Sequence, residues 1–338
     1  MTFDETTELS VLESGVVIGV PSALCEMGWR LRNGIGVERD ERKAFELFMR
    51  AAQLDDPVGL NNVGLCYADG IGVKRDDAEA CRFYRKAAER GSAAAQNNLG
   101  WIYLNGLGVK KSAGAAVRWF RKAAEQGLAQ AQNNLAYCCQ NGVGMTKDPA
   151  EANRWYRAAA DNGLHEALVN LAWNLQMGVG CSVDYGQAVK LLTEAVEEGI
   201  PSAQSNLAYL YRHGLGVERD SELAFSLYKR AAEQGFVEAL TPLAECYEVG
   251  EGVPQNVYLA AQYYERAARC GDQQAVQKYR ALSAKATRRF NGAFAPDPTA
   301  KTEQVSMSVG DAYAAKLAAE KRAALKAEKA KEKEQKGE

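Results

Sequence analysis

The side chains best suited to catalysis or metal binding are two histidines, His165 and His213, and eight cysteines: Cys25, Cys66, Cys81, Cys138, Cys139, Cys181, Cys246 and Cys270. No Cys-x-x-Cys pair or Cys/His cluster is present, which disfavours a structural zinc site. Neither histidine has a neighbour with which to form a dyad, and there is no Gly-x-Ser-x-Gly elbow or phosphate loop. The cysteines hold scattered positions, mostly in place of small or apolar residues, and are expected as reduced thiols rather than a disulfide framework. The chain is therefore expected to carry no catalytic residue, no metal and no cofactor.

Two other sets of residues do recur at fixed spacing, and their chemistry is recognition. One position reads Trp29, Leu65, Trp101, Tyr137, Trp173, Tyr209 and Glu245, each 36 residues from the last. Beside it run Asn62, Asn98, Asn134, Asn170 and Asn206, with a partial second rail at Asn61, Asn97 and Asn133. Asparagine is a poor helix former, so such registration needs a reason. Its amide both donates and accepts, which suits a peptide backbone. Aromatic side chains dominate binding hot spots. Together the two stripes describe a groove for an extended peptide. A second reading stays open: the asparagines bond between neighbouring helices and the rings pack on adjacent repeats.

The elements that position these stripes come from one unbroken period. Gly34, Gly70, Gly106, Gly142, Gly178, Gly214 and Gly250 lie 36 apart, and so do Gly36, Gly72, Gly108, Gly144, Gly180, Gly216 and Gly252. A third comb runs from Gly91 to Gly271, with Asp55 in its first slot. Each unit reads as two helices. In the third, Ala95, Leu99, Ile102 and Tyr103 share one face of helix A, and the Gly106-Leu107-Gly108 turn ends it. Helix B opens on Asp40, Asp76, Ser112, Asp148, Asp184, Asp220 or Asn256, all good N-caps. Helix B carries a recurrent Ala-Ala pair, and the residue after the Leu99 position of helix A is Gly or Ala in all seven units. Small residues in one phase predict a tight helix crossing. Residues two either side of Leu99 lie about 200° away around the helix, which turns Asn97 and Trp101 outward.

The second unit shows Leu60, Gly64, Tyr67, Gly70, Gly72, Val73, Asp76, Ala80, Phe83, Tyr84, Ala87, Ala88 and Gly91. This pattern resembles the Sel-one-like (SLR) repeat, a relative of the tetratricopeptide repeats, over residues 21–271. The resemblance implies an all-α, α/α superhelical solenoid of seven helix-turn-helix repeats with a concave face. It also implies an adaptor or scaffold role in assembling protein complexes, in bacterial signalling and in membrane-protein turnover. Cysteine-rich relatives are linked to penicillin binding and β-lactam hydrolysis, but they carry a paired cysteine in each repeat, which this chain lacks.

The ends predict half-repeat caps. Residues 1–20 read as a capping helix, with Asp4 in the N-cap slot, Leu12 in the slot of Tyr84 and Gly19 ending it. Residues 272–287 read as a closing helix, 288–310 as a linker, and 311–338 as a charged Ala/Lys/Glu-rich helical tail, with a short coiled coil as one role for it. The chain holds 41 Lys+Arg and 43 Asp+Glu; residues 288–338 carry 11 and 8 of these, leaving the rest acidic by five charges. That balance disfavours nucleic acid, although a helical array stacking one RNA base per repeat is the alternative the aromatics allow. No segment reads as a signal peptide or membrane span, so a cytoplasmic location is expected. The expected partner is a protein or extended peptide in the concave face.

Overall fold

The computed structural model of the protein describes residues 7–290. Among these residues it is entirely helical. The helices are α1 (Leu9–Ile18), α2 (Pro21–Asn33), α3 (Glu41–Gln53), α4 (Pro57–Asp69), α5 (Asp77–Glu89), α6 (Ala93–Asn105), α7 (Ala113–Glu125) and α8 (Ala129–Asn141). They continue as α9 (Pro149–Asp161), α10 (Glu166–Met177), α11 (Tyr185–Glu197), α12 (Pro201–His213), α13 (Ser221–Glu233), α14 (Leu240–Val249), α15 (Val257–Arg269) and α16 (Gln273–Phe290). Even-numbered helices from α2 to α14 are the helices A, and odd-numbered ones from α3 to α15 the helices B. The described residues form two compact units, divided between Asn256 and Val257.

In the first unit each helix A ends on a left-handed glycine whose N–H returns to a carbonyl of the last turn, as Gly106 does to Ile102. The next helix B is capped by its side chain: Asp40, Asp76, Ser112, Asp148, Asp184 and Asp220 each accept a hydrogen bond from a backbone N–H of the first turn. The cap residue's own N–H closes the turn on helix A, as Ser112 does to the Tyr103 carbonyl at 2.8 Å. Local chemistry thus fixes both ends of the A–B hairpin.

Within each hairpin the small residue of helix A admits a helix B ring. A Cβ on Gly100 would lie 2.6 Å from Phe120, and Gly28 and Gly64 face Phe48 and Tyr84 in the same way. Leu99, Leu135, Phe120, Tyr156 and the Ala-Ala pairs fill the core. The second glycine of each turn serves a different contact. A Cβ at Gly108 would fall on the backbone of Asp77, and one at Gly144 on that of Ala113, so the turn of one repeat rests on the start of helix B in the repeat before. Gly36, with no preceding repeat, meets nothing.

Three details depart from expectation. Helix α1 starts at Leu9 with Glu8 at its N-cap, not after Asp4. Thr7, a β-branched residue of low helix propensity, lies outside it, and its carbonyl accepts a 2.8 Å bond from the Arg30 guanidinium. Helix α14 is preceded by a 3-10 turn over Val237–Ala239. Pro242 has no N–H to extend the α-helical bonding back to Glu238. In the second unit α16 continues through Phe290, past the expected boundary at 287. The remainder of the expected linker and the tail lie outside the described residues.

The second unit pairs α15 with α16. Tyr264, Ala260, Ala267, Ala275 and Leu282 are buried, and Asp272 caps α16 by accepting from the N–H groups of Gln274 and Ala275.

Candidate protein-interaction surface

The asparagine rails connect one repeat to the next. Asn98 Nδ2 donates to Asn61 Oδ1 at 3.1 Å, Asn134 to Asn97 at 2.8 Å, and Asn170 to Asn133 at 3.1 Å. Each bond joins the outer rail of a helix A to the inner rail of the helix A before it. The two end members differ. The inner-rail slots facing Asn62 and Asn206 hold Cys25 and Val169, and neither amide has a hydrogen bond among the described residues. Three asparagine pairs therefore hold the stack, and the half-buried Asn62 and Asn206 have no such pair.

A glutamine set one step further in was not anticipated, although its period was visible. Gln96, Gln132 and Gln204 lie in one phase and are buried. Gln96 donates to the Ala88 carbonyl at the end of the preceding helix B and accepts from Gln126 at the end of its own. Gln132 does the same between Ala124 and Asn162, and Gln204 accepts from Gln234. These bonds satisfy carbonyls that a helix end leaves open.

The aromatic stripe is placed differently. None of its five rings is buried: Trp29 is 37% and Tyr209 45% exposed, and Trp101, Tyr137 and Trp173 are half-buried. Tyr209 leans on the His213 ring with centroids 4.4 Å apart. Glu245, the seventh member, is committed to structure, accepting from Arg212 at 2.8 Å. Arg212 also donates to Glu251 at 2.8 Å, and Arg219 reaches the same carboxylate at 2.6 Å. Burial pushes the Glu251 pKa up, but the two guanidiniums outweigh it and hold the group below the usual carboxylate value.

All eight cysteines are free thiols. Burial pushes Cys25, beside the Asp56 carboxylate, and Cys138 up to about 12, and Cys66 and Cys246 up to about 11. A Ser-x-x-Lys spacing occurs once, at Ser226 and Lys229 on α13. Both are exposed, and the Lys229 ammonium faces Glu233 at 3.8 Å rather than the hydroxyl. No described helix is long and apolar enough to cross a membrane.

Seven successive matches to the Sel1 repeat cover residues 21–56, 57–92, 93–128, 129–164, 165–200, 201–236 and 237–272. Among solved structures, the chain is similar to a protective antigen of uropathogenic Escherichia coli with an SLR fold. The two are 32% identical with a TM-score of 0.69, over 84% of this chain and 61% of that one. The chain thus spans under two thirds of that protein's length. A Sel1 repeat protein from Oxalobacter formigenes is 32% identical with a TM-score of 0.67, over 72% of this chain and 96% of its own. No curated protein matches the chain.

Proposed function

The chain belongs to the Sel1 repeat family, and from that premise we propose that it binds a partner protein or extended peptide along the aromatic stripe of its helices A. Sel1 repeat proteins are generally non-enzymatic scaffolds for protein interaction. The observation that carries the finer reading is a division of labour on one helix face. Asn61, Asn97 and Asn133 spend their acceptors on the neighbouring repeat. Trp29 and Tyr209, one turn further along, are exposed, and Trp101, Tyr137 and Trp173 are half-buried.

Rings on a rigid helical scaffold bring large contact area at small entropic expense, which is the character of a binding hot spot. The amides of Asn62 and Asn206 flank the stripe near its two ends and supply donors and acceptors for an extended backbone. The test is affinity capture with wild type beside Trp101→Ala/Trp173→Ala. Partners held by the wild type are lost from the double variant, with little change in melting temperature. Retention of the same partners by the double variant contradicts the proposal.

A further inference from the structure

The junction between the fourth and fifth repeats, like that between the third and fourth where Cys139 stands, lacks the tyrosine that Tyr67, Tyr103, Tyr211 and Tyr247 supply at the other junctions. Between the first and second repeats Phe45 meets Tyr67 edge-on, centroids 5.5 Å apart, and Tyr67 stacks on Phe83 at 5.8 Å. Between the sixth and seventh, Phe225 meets Tyr247 at 5.2 Å. Between the second and third, Tyr103 takes the same place and its hydroxyl accepts from Arg85 at 2.9 Å. Shifted to the fourth and fifth repeats, the positions of Phe45, Tyr67 and Phe83 hold Asn153, Leu175 and Leu191, and that of Arg85 holds Arg157.

The missing rings leave a space. A cavity of about 390 Å³ opens there, lined by Leu171, Leu175, Asn153, Arg154, Arg157 and Cys181 among others. Asn153 does not use it. Its carbonyl accepts from Asn174 at 2.7 Å and its amide donates to the Val179 carbonyl at 2.9 Å. Arg154 and Arg157 make no hydrogen bond or ion pair among the described residues. Arg157 has thus lost the hydroxyl acceptor that Arg85 has in Tyr103. Two uncompensated cations stand beside an apolar floor on a repeat region that is acidic overall.

We propose that this cavity is a second interaction site, which takes one aromatic side chain, a tyrosine for preference, from an acidic segment of a partner protein. The incoming ring occupies the place of the absent Tyr side chain over Leu171 and Leu175. Its hydroxyl accepts from Arg157, and flanking carboxylates meet Arg154 and Arg157. Charge complementarity selects the acidic segment, and the vacated ring position selects the aromatic.

The probe is a fluorescently labelled, acetylated and amidated peptide, Glu-Asp-Tyr-Asp-Glu, titrated with the full chain and read by anisotropy. Saturable binding to wild type is expected. Leu175→Tyr fills the cavity from within and, with melting temperature maintained, weakens binding about ten-fold or more. Arg157→Ala and replacement of the peptide tyrosine by alanine act in the same direction. Trp101→Ala leaves this binding unchanged, which separates the site from the aromatic stripe. Absence of saturable binding to wild type, or equal affinity for wild type and both cavity variants, overturns the proposal.

Discussion

At the scale of single residues, the same side-chain chemistry is used for two ends. Asn97 spends its acceptor on Asn134, whereas the Asn62 and Asn206 amides have no partner among the described residues. The side-chain hydrogen bond between repeats is worth about 1 kcal/mol, so Asn97→Ala lowers unfolding free energy by roughly that amount in a denaturant titration. Asn206→Ala changes it by no more than about 0.5 kcal/mol. Burial sorts the thiols. Cys270 is exposed and Cys181 half-buried, and the other six are buried, several with raised pKa values. A thiolate-selective reagent at pH 8 therefore labels Cys270 first and Cys181 second, and the rest only on unfolding, as intact mass will show. Glu251 carries a pH signature. Its folded pKa lies below the ordinary 4.5, so its contribution is complete above that value and is lost as pH falls through the folded pKa. Glu251→Gln is expected to lower the melting temperature at pH 7 by about 2–4 °C and to flatten its fall below pH 4.5.

At the scale of elements, the boundaries were the most legible part. An acidic or hydroxyl cap, a helix-ending glycine and a period of 3.6 are local signals, and Asp148 or Gly106 announces its role without its neighbours. The second glycine of each turn was not legible, because its reason is tertiary. Gly108 is required by the Asp77 backbone lying against it, and nothing near Gly108 in sequence says so. Two alanine variants separate the effects. Gly127 has φ +86° with open space around it, so Gly127→Ala costs about 1 kcal/mol for backbone conformation alone. Gly108→Ala adds a backbone clash between repeats and costs roughly 3 kcal/mol. Equal losses in thermal unfolding would contradict the contact assigned to Gly108.

At the scale of the whole molecule, a repeat array is stabilised by what each unit does for the next. Three devices recur here: the turn glycine on the preceding helix B, the asparagine pair between helices A, and the glutamine spanning two helices B. The period of all three could be read from the sequence, but not which of them bonds across the junction. The two readings of the Asn and aromatic stripes differed only in what faced what. Trp101 and Asn97 sit on the same side of one helix, and only the geometry shows that the Asn97 amide bonds across the junction while the Trp101 ring is half-buried. The most direct measurement is the melting temperature of Asn61→Ala/Asn97→Ala/Asn133→Ala beside that of Trp101→Ala/Trp173→Ala. The asparagine variant is expected to lose about 3 kcal/mol, roughly 6–12 °C, and the tryptophan variant less than half of that. A tryptophan variant that melts as low as the asparagine variant, or lower, would show the rings to be mortar between repeats and contradict the account.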